Sequence, residues 1–503
     1  MSFVRRGMTW LNLYPLLWGA YPSLALAAVN LGQFEPRALL RPLVLSLLFT
    51  GLLLYGAWRC ARDPNKAGLL TVFWLILFFT YGHVYAALEG SLLGHHRWLG
   101  LIWLAVGALG TGLILFRQRV APPISQFAAV LGVILFLLAL GQMALFGWQR
   151  AQTRRITAVP MPKSGDGQTQ PDVYYIILDS YSRADMLQKY YSYDNSAFIR
   201  ELEALGFYVP SCAQSNYALT ALSLSSTLNM DYLPAYAAEL VDRNANWSHL
   251  GPYIQHSAVR AALAEWGYTT VSLESGVPWN EWTDADVYLS RTGSLLTPSD
   301  SRWPISPFEQ LFLRTTALRM ATEAGQSLLD QYFPDFATPA EQHHDLIRFE
   351  LAQLNQIAEL PGPKFVYVHL MAPHEPYVFA PDGAFRYITP ADPGYLDEIT
   401  WLNTQILTTV RAIQSGSAEP PVILLQADHG LDMEHRLAIF SAYYLPGDAA
   451  ALLYPTITPV NSFRLILNAY WGADMPLLPD VSYYSNHDTP YDLEVRTYPC
   501  SLP

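Results

Sequence analysis

Acidic and imidazole side chains follow three apolar segments of this sequence, at the point where each segment ends. These residues are Asp179 after 173–178, His369 and His374 within and after 364–369, and Asp428 with His429 after 421–426. Because carboxylates and imidazoles at adjacent strand ends can converge on one cation, the residues predict a divalent metal site. The mixture of oxygen and nitrogen ligands favours Zn²⁺ or Mn²⁺. His435 and Arg436 come a few residues later and either complete the site or lie on a solvated loop.

A hydroxyl-rich segment supplies a candidate nucleophile. Thr220 opens the sequence Thr-Ala-Leu-Ser-Leu-Ser-Ser-Thr, which we expect to begin a helix. Taken alone, such a threonine is most simply an N-cap whose hydroxyl accepts from free backbone N–H groups. Next to a metal ion and the positive end of a helix, the same hydroxyl would become an alkoxide that attacks phosphorus. Ser223, Ser225 and Ser226 lie close in sequence and leave the identity of the nucleophile open.

Short apolar strands and longer amphipathic helices must position these residues. The predicted strands are 173–178, 269–273, 364–369, 421–426 and 437–445. The predicted helices are 196–205, 220–229, 257–266, 308–329, 341–359, 396–415 and 460–471. Near-continuous apolar strands separated by helices predict an α/β domain with a mainly parallel sheet and helices on both faces. In such domains chemistry gathers beyond the carboxyl ends of the strands.

The amino-terminal third of the chain has the composition of a membrane domain. Hydrophobic residues make up 51% of the 503 residues and charged residues only 14%, against about a quarter in soluble proteins. Stretches without charge cover 7–34, 42–58, 67–88, 98–116 and 120–149, which predicts five transmembrane helices. We therefore divide the chain into a transmembrane domain (1–148), a polar Pro/Gly-punctuated linker (149–171) and a catalytic domain (172–503). No span has a charged residue at its centre, which disfavours a transporter.

Charge separates the two halves. Residues 1–155 carry a net charge of +10 and residues 156–503 a net charge of −22, which together give the −12 of the whole chain. An acidic outer domain excludes nucleic acid as a partner. The basic residues around the spans favour a cytoplasmic amino terminus, so that five spans place the catalytic domain outside the membrane. Cys212 and Cys500 either pair in an oxidising compartment or stay as small core residues.

The motifs together resemble those of membrane phosphoethanolamine transferases, and the five predicted spans also resemble lipoteichoic acid synthases. The segment Ile-Leu-Asp179-Ser-Tyr-Ser-Arg resembles the metal-ligand motif, with Asp where the family has Glu. Thr220 falls at the nucleophile, His369 and His374 match a histidine pair five residues apart, and Asp428-His429-Gly matches the late metal pair. The order of the motifs is also that of the family, which points to the alkaline phosphatase/sulfatase superfamily. The C/S-x-P-x-R motif of true sulfatases is missing around Thr220.

The resemblance implies roles for these residues. Asp179, Thr220, Asp428 and His429 would hold one metal ion, Thr220 would form a phospho-threonine ester, and His369 or His374 would bind the phosphoryl group or protonate the leaving oxygen. The chain would be a membrane-anchored phosphotransferase that moves a phospho-alcohol head group from a lipid donor to an envelope lipid or glycan. The alternatives are a hydrolase of phosphate or sulfate esters with the same site, and a non-catalytic membrane receptor or scaffold. The complete set of ligand residues speaks against the latter.

Overall fold

The computed structural model describes residues 13–34, 36–88, 91, 94–116, 122–152, 170–242, 246–291, 306–320, 338–387, 391–498 and 500. The chain divides into two compact units. The first comprises Met1–Gln152 and Arg302–Pro339, and the second comprises Thr153–Ser301 and Ala340–Pro503. Our predicted boundaries assigned 302–339, called the insertion below, to the catalytic domain, whereas this division assigns the insertion to the first unit. Most of the predicted linker, residues 153–169, lies outside the described residues.

Long apolar helices build the first unit. They are α1 (Tyr14–Val29), α2 (Leu40–Ala61), α3 (Pro64–Leu88), α4 (His96–Phe116) and α5 (Pro122–Gln152). In the described part of the chain, four segments are long and apolar enough to cross a membrane: Pro36–Ala61, Pro64–Leu88, His96–Phe116 and Pro123–Gln149.

Within the described residues the count is therefore four, one fewer than the five spans that were predicted. The described helix at the first predicted span, α1, has 16 residues. At 1.5 Å per residue it is about 24 Å long, which is shorter than the roughly 30 Å hydrocarbon core of a bilayer. Residues 7–12 of that predicted span lie outside the described residues.

A six-stranded sheet forms the centre of the second unit. Its strands are β1 (Val173–Leu178), β2 (Thr269–Leu273), β3 (Val287–Leu289), β4 (Lys364–Leu370), β5 (Val422–Gln426) and β6 (Ser441–Tyr444), in the spatial order β3-β2-β4-β1-β5-β6. The first five strands in that order are parallel and β6 runs antiparallel to β5. The mainly parallel sheet predicted from the sequence is confirmed. A two-stranded ribbon of β7 (Tyr483–Tyr484) and β8 (Glu494–Val495) lies near the carboxyl terminus.

The remaining helices follow in chain order. They are α6 (Ala184–Tyr191), α7 (Ser196–Ala204), α8 (Thr220–Asn229), α9 (Leu233–Tyr236), α10 (Ala238–Asp242), α11 (Gly251–Gln255), α12 (Ala258–Glu265), α13 (Pro307–Thr315, in the first unit), α14 (Pro339–Ile357), α15 (Ala391–Gly416) and α16 (Pro459–Trp471).

Both faces of the sheet are covered, because every residue of β1 is buried. Tyr175 and Ile177 belong to one core, with apolar residues of α8, α12 and α16. Tyr174, Ile176 and Leu178 belong to a second core on the opposite face, with apolar residues of α14 and α15. Successive strand residues point to opposite faces, so a strand buried on both sides must be apolar throughout.

The described part of the insertion, residues 306–320, packs on α3 within the first unit. Phe312 is buried against Leu75 and Phe79, and the N–H of Ala317 donates to the carbonyl of Phe78 (2.8 Å). A side chain at Gly82 would overlap the backbone carbonyl of Arg314. The glycine is therefore needed for the close approach of the two backbones.

The two cysteines of the second unit form a disulfide between Cys212 and Cys500, which the sequence left open. The bond joins the loop before α8 to the carboxyl-terminal segment. A disulfide is typical of an oxidising compartment.

Candidate active site

The candidate active site lies at the carboxyl ends of the three central strands. Asp179 is the first residue after β1, and Asp428 and His429 follow β5. His369 lies at the end of β4, in register with Ile177 of β1. Because β1 lies between β4 and β5, the topology brings these ends side by side, as expected for parallel sheets.

Three of the predicted metal ligands converge. Asp179, Asp428 and His429 each offer one ligand atom, and these atoms lie within 4.8 Å of one another. His429 Nε2 is 3.3 Å from Asp428 Oδ2 and 3.8 Å from Asp179 Oδ1. All three side chains are buried. Two carboxylates and an imidazole at this spacing offer the mixed oxygen and nitrogen ligands that were predicted.

Two further observations indicate that the cluster fits a divalent cation. Asp428 Oδ2 is buried without a hydrogen-bond partner among the described residues, which is costly unless a cation binds there. His429 donates its Nδ1–H to the carbonyl of Gly430 (3.0 Å). The lone pair of a neutral His429 is therefore on Nε2, the atom beside the two carboxylates.

Burial and neighbouring charges shift the pKa values of these groups. Burial alone would raise the pKa of Asp179, but nearby histidines, above all His374, hold that pKa below its usual range. Burial, followed by the charge of Asp179, raises the pKa of Asp428. Burial and then the Arg436 cation lower the pKa of His429 far below its usual value. His429 is therefore neutral at pH 7, as a metal ligand must be.

Thr220 joins this cluster through its hydroxyl. It is the first residue of α8, and Leu219 is the N-cap. Thr220 Oγ1 lies 3.0 Å from His429 Nε2, so its hydroxyl is directed to the cluster instead of capping the helix. The three nearby serines bond elsewhere: Ser223 to Ser215, Ser225 to Tyr236, and Ser226 to the carbonyl of Asp231. Of the four hydroxyls considered from the sequence, Thr220 is the one at the carboxylates.

His369 lies behind Asp179 and is itself held by an asparagine. Its Nε2 is 3.0 Å from Asp179 Oδ2, and its Nδ1 is 2.5 Å from Asn280 Nδ2. Because a carboxylate only accepts, Nε2 carries the proton and Nδ1 accepts from the amide of Asn280. Ser275 Oγ in turn donates to Asn280 Oδ1 (2.8 Å), which fixes the orientation of the amide. His369 is fully buried by these contacts.

His374 is the more accessible member of the histidine pair. It is partly exposed, and its Nδ1–H donates to the carbonyl of Glu375 (2.6 Å). Nε2 is therefore the nitrogen that remains for a substrate. Its charge contributes most to holding the pKa of Asp179 below its usual range.

Arg436 brings a positive charge to the cluster. Its Nε donates to the carbonyl of Ala218 (2.6 Å), and its Nη2 donates to His429 Nε2 (2.6 Å). Burial lowers its pKa, and the described residues place no carboxylate in an ion pair with it. His435 lies elsewhere, with its ring 3.9 Å from that of Tyr190.

Two residues that contact the cluster were not predicted from the sequence. Asn280 lies in a loop after β2, without a motif around it, and only the folded chain brings it to His369. Ser180 follows Asp179 and adopts a left-handed backbone (φ 65°), which is uncommon for a residue other than glycine. Neither position is detectable without the tertiary structure.

Solved structures of similar fold include transferases and a hydrolase. The C-terminal periplasmic domain of EcEptC from Escherichia coli aligns at 12% identity and a TM-score of 0.42, over 69% of this chain and 98% of that one. The integral membrane lipooligosaccharide phosphoethanolamine transferase A from Neisseria meningitidis aligns at 12% identity and a TM-score of 0.38, over 92% and 94% of the two chains. The phosphonate monoester hydrolase of Agrobacterium radiobacter aligns at 13% identity and a TM-score of 0.36, over 62% and 80%.

Sequence families give a firmer result. No curated protein matches the chain. The family model described as Sulfatase matches residues 171–463, which is more than half of the chain and includes every predicted site residue. This confirms the predicted superfamily and the prediction that the chain is an enzyme. The chain belongs to the sulfatase family.

Proposed function

We propose that this protein is a membrane-anchored, metal-dependent phosphotransferase. It transfers a phospho-alcohol head group from a lipid donor, through an ester on Thr220, to an envelope lipid or glycan. The observation that supports this most is the position of the Thr220 hydroxyl, 3.0 Å from His429 Nε2 at the amino-terminal end of α8. A helix N-terminus stabilises negative charge, both on an alkoxide and on a phosphoryl group.

Asp179, Asp428, His429 and Thr220 would hold the metal ion, Zn²⁺ or Mn²⁺. When bound, the ion supplies positive charge that lowers the pKa of the Thr220 hydroxyl and screens the phosphoryl oxygens. His369 keeps Asp179 in place, since its Nε2–H donates to that carboxylate. Its burial between Asn280 and Asp179 favours this role over contact with the substrate.

Arg436 would bind the phosphoryl oxygens. A guanidinium is suited to two oxygens of one phosphoryl group, and that of Arg436 is beside His429 without a carboxylate partner among the described residues. Asp428 and Asp179 act on Arg436 from a distance, and a substrate anion would add the directly paired oxygens that no described carboxylate provides. The same contact would balance charge as it develops on the phosphoryl group during transfer.

The reaction takes place in two steps at one phosphorus atom. In the first, Thr220 Oγ1, which has already lost its proton to solvent, forms a bond to phosphorus, and the bond from phosphorus to the lipid oxygen breaks. His374 enters this step as the imidazolium and gives its Nε2 proton to that oxygen, so that a diacylglycerol alcohol leaves. In the second, an acceptor hydroxyl loses its proton to His374 and forms a bond to phosphorus, and the Thr220 oxygen leaves.

The catalytic unit would lie outside the cytoplasm. Its disulfide between Cys212 and Cys500 supports an oxidising compartment. A cytoplasmic amino terminus, which the loop charges support, would require the first predicted span, 7–34, to cross the membrane in addition to the four long helices.

Family membership favours one alternative, a hydrolase of phosphate or sulfate esters with the same site. In that reaction, water takes the place of the acceptor in the second step. The two functions share the Thr220 ester and differ only in what resolves it.

The test is peptide mass spectrometry of the full-length protein after exposure to a lipid extract. Wild type and Ser223→Ala should gain mass on the Thr220 peptide, and Thr220→Ala should not. Ser223 is the matched control because it lies on the same helix and bonds to Ser215. The size of the added group would identify the head group.

Two other results would change the conclusion. Without an adduct and without bound metal, the protein would be no phosphotransferase of this kind. With bound metal, no adduct, and release of phosphate or sulfate from soluble esters, the hydrolase would replace the transferase.

A further inference from the structure

Ser180 has an unusual backbone conformation for its residue type. It is buried, with 2% of its surface exposed, and its φ is +65°. In this left-handed region a Cβ is crowded, so glycine is the residue found most often and asparagine comes next. Such strain at a buried serine suggests that the side chain is needed for another reason.

The contacts of Ser180 supply that reason. Its hydroxyl donates to Asp179 Oδ1 (2.9 Å), and its backbone N–H donates to Asp428 Oδ1 (3.2 Å). Its Oγ also lies 3.3 Å from His429 Nδ1. One residue therefore contacts all three members of the buried ligand cluster. Glycine would permit the same backbone but would lose the bond to Asp179.

The backbone of Ser180 is held from the other side by a tyrosine. The hydroxyl of Tyr395 donates to the carbonyl of Ser180 (2.9 Å) and accepts from the N–H of Ser182 (3.1 Å). Tyr395 is fully buried on α15. This contact fixes the turn that points the N–H of Ser180 at one carboxylate and its hydroxyl at the other.

We propose that Ser180 is a positioning residue that sets the separation and orientation of the Asp179 and Asp428 carboxylates for the metal ion. The proposal rests on the metal-dependent function proposed above. Ser180 does not touch the substrate and acts only through the two ligands. Because partners of metal ligands typically contribute 10–100-fold to metal affinity, loss of its hydroxyl should have an effect of about that size.

The test is a Zn²⁺ titration of the metal-stripped full-length protein against a chelating indicator. We compare wild type, Ser180→Ala, Ser180→Gly and Ser182→Ala. Ser182 is the matched control, because it is also buried but its hydroxyl accepts from the N–H of Leu431 (3.0 Å). Ser180→Ala and Ser180→Gly should bind Zn²⁺ roughly 10–100-fold more weakly, and Ser182→Ala should bind within about threefold of wild type.

Thermal unfolding of the apo proteins separates positioning from folding. Ser180→Gly relieves the left-handed strain, so its midpoint should equal or exceed that of wild type while its Zn²⁺ affinity falls. Wild-type affinity in Ser180→Gly would overturn the positioning role. A wild-type protein that binds neither Zn²⁺ nor Mn²⁺ would instead overturn the metal-dependent function, and this inference with it.

Discussion

Glu398 offers a direct test of how a buried carboxyl controls stability in the catalytic unit. It is fully buried on α15, and its Oε2 accepts from the N–H of Val378 (2.9 Å), in the loop that follows His374. Its Oε1 has no partner among the described residues. Burial raises the pKa of Glu398 from 4.5 to about 8, so the native protein holds the neutral acid at pH 7.

The sign of the pH dependence follows from proton binding. Between pH 4.5 and about 8 the native state keeps the proton on Glu398 and the unfolded state has lost it, so stability falls as pH rises through this window. Each factor of ten in proton binding corresponds to about 1.4 kcal/mol. From pH 5 to pH 7.5 this group alone should lower the free energy of unfolding by roughly 3 kcal/mol.

The perturbation is Glu398→Gln, which matches the neutral acid in shape and keeps an oxygen for the N–H of Val378. The free energy of unfolding is measured by urea titration in detergent, followed by tryptophan fluorescence. The difference in this free energy, variant minus wild type, should rise by roughly 3 kcal/mol from pH 5 to pH 7.5. Trp401 stacks on Phe379 near this site and reports its loss of structure. Glu359→Gln, at an exposed position, controls for the loss of one carboxylate. A variant difference that is constant with pH, or that falls as pH rises, would refute the reasoning.

Two further predictions concern buried contacts of the same unit. Asn280→Ala removes the amide that holds His369. We expect kcat with a soluble ester to fall about 10–100-fold while KM changes little. An unchanged kcat would show that the contact is dispensable. Lys364→Met removes the amine that lies 2.5 Å from Asp172 Oδ2 in a buried ion pair, and should lower the free energy of unfolding by about 3–5 kcal/mol. The double variant with Asp172→Asn should recover part of that loss in the same urea titration, because no buried charge is then left unpaired. If Lys364→Met alone lowered the free energy of unfolding by less than about 1 kcal/mol, the interpretation of Asp172 as a buried charge that needs this partner would be wrong.

The central strands could be predicted because their burial dictates their composition. β1 and β2 begin and end at the predicted residues. β1 is covered on both faces and is apolar along its length, whereas β2, Thr-Thr-Val-Ser-Leu, shows the β-branched residues typical of strands. The predicted strand at 437–445 is shorter in the structure, where β6 is Ser441–Tyr444. Residues 438 and 439 form isolated bridges to Gln214 and Ser182 instead, and such pairings depend on distant parts of the chain.

The residue types and their positions at the ends of strands predicted the central residues of the site. Asp179, Asp428, His429 and Thr220 are all at one place in the structure, although their roles stay proposals. Ser180 and Asn280 were missed because their importance depends on backbone geometry and on a loop approaching from another strand. Similarly, an amphipathic pattern predicted the helix at 308–329, of which 321–329 lie outside the described residues, but it does not reveal what the apolar face packs against.

The first unit contains the membrane helices and also the insertion, whose described part is 306–320. This unit is therefore discontinuous in sequence. A fragment that starts at residue 170 would still contain Phe308 and Phe312, but it would lack Phe34, Leu75 and Phe79, on which they pack. Such a fragment would expose aromatic surface to water and tend to aggregate. One cut after the last membrane helix is therefore not enough to obtain a soluble enzyme, and the piece that belongs with the membrane helices must be removed as well. The border between the units is a property of the folded chain, which crosses it three times.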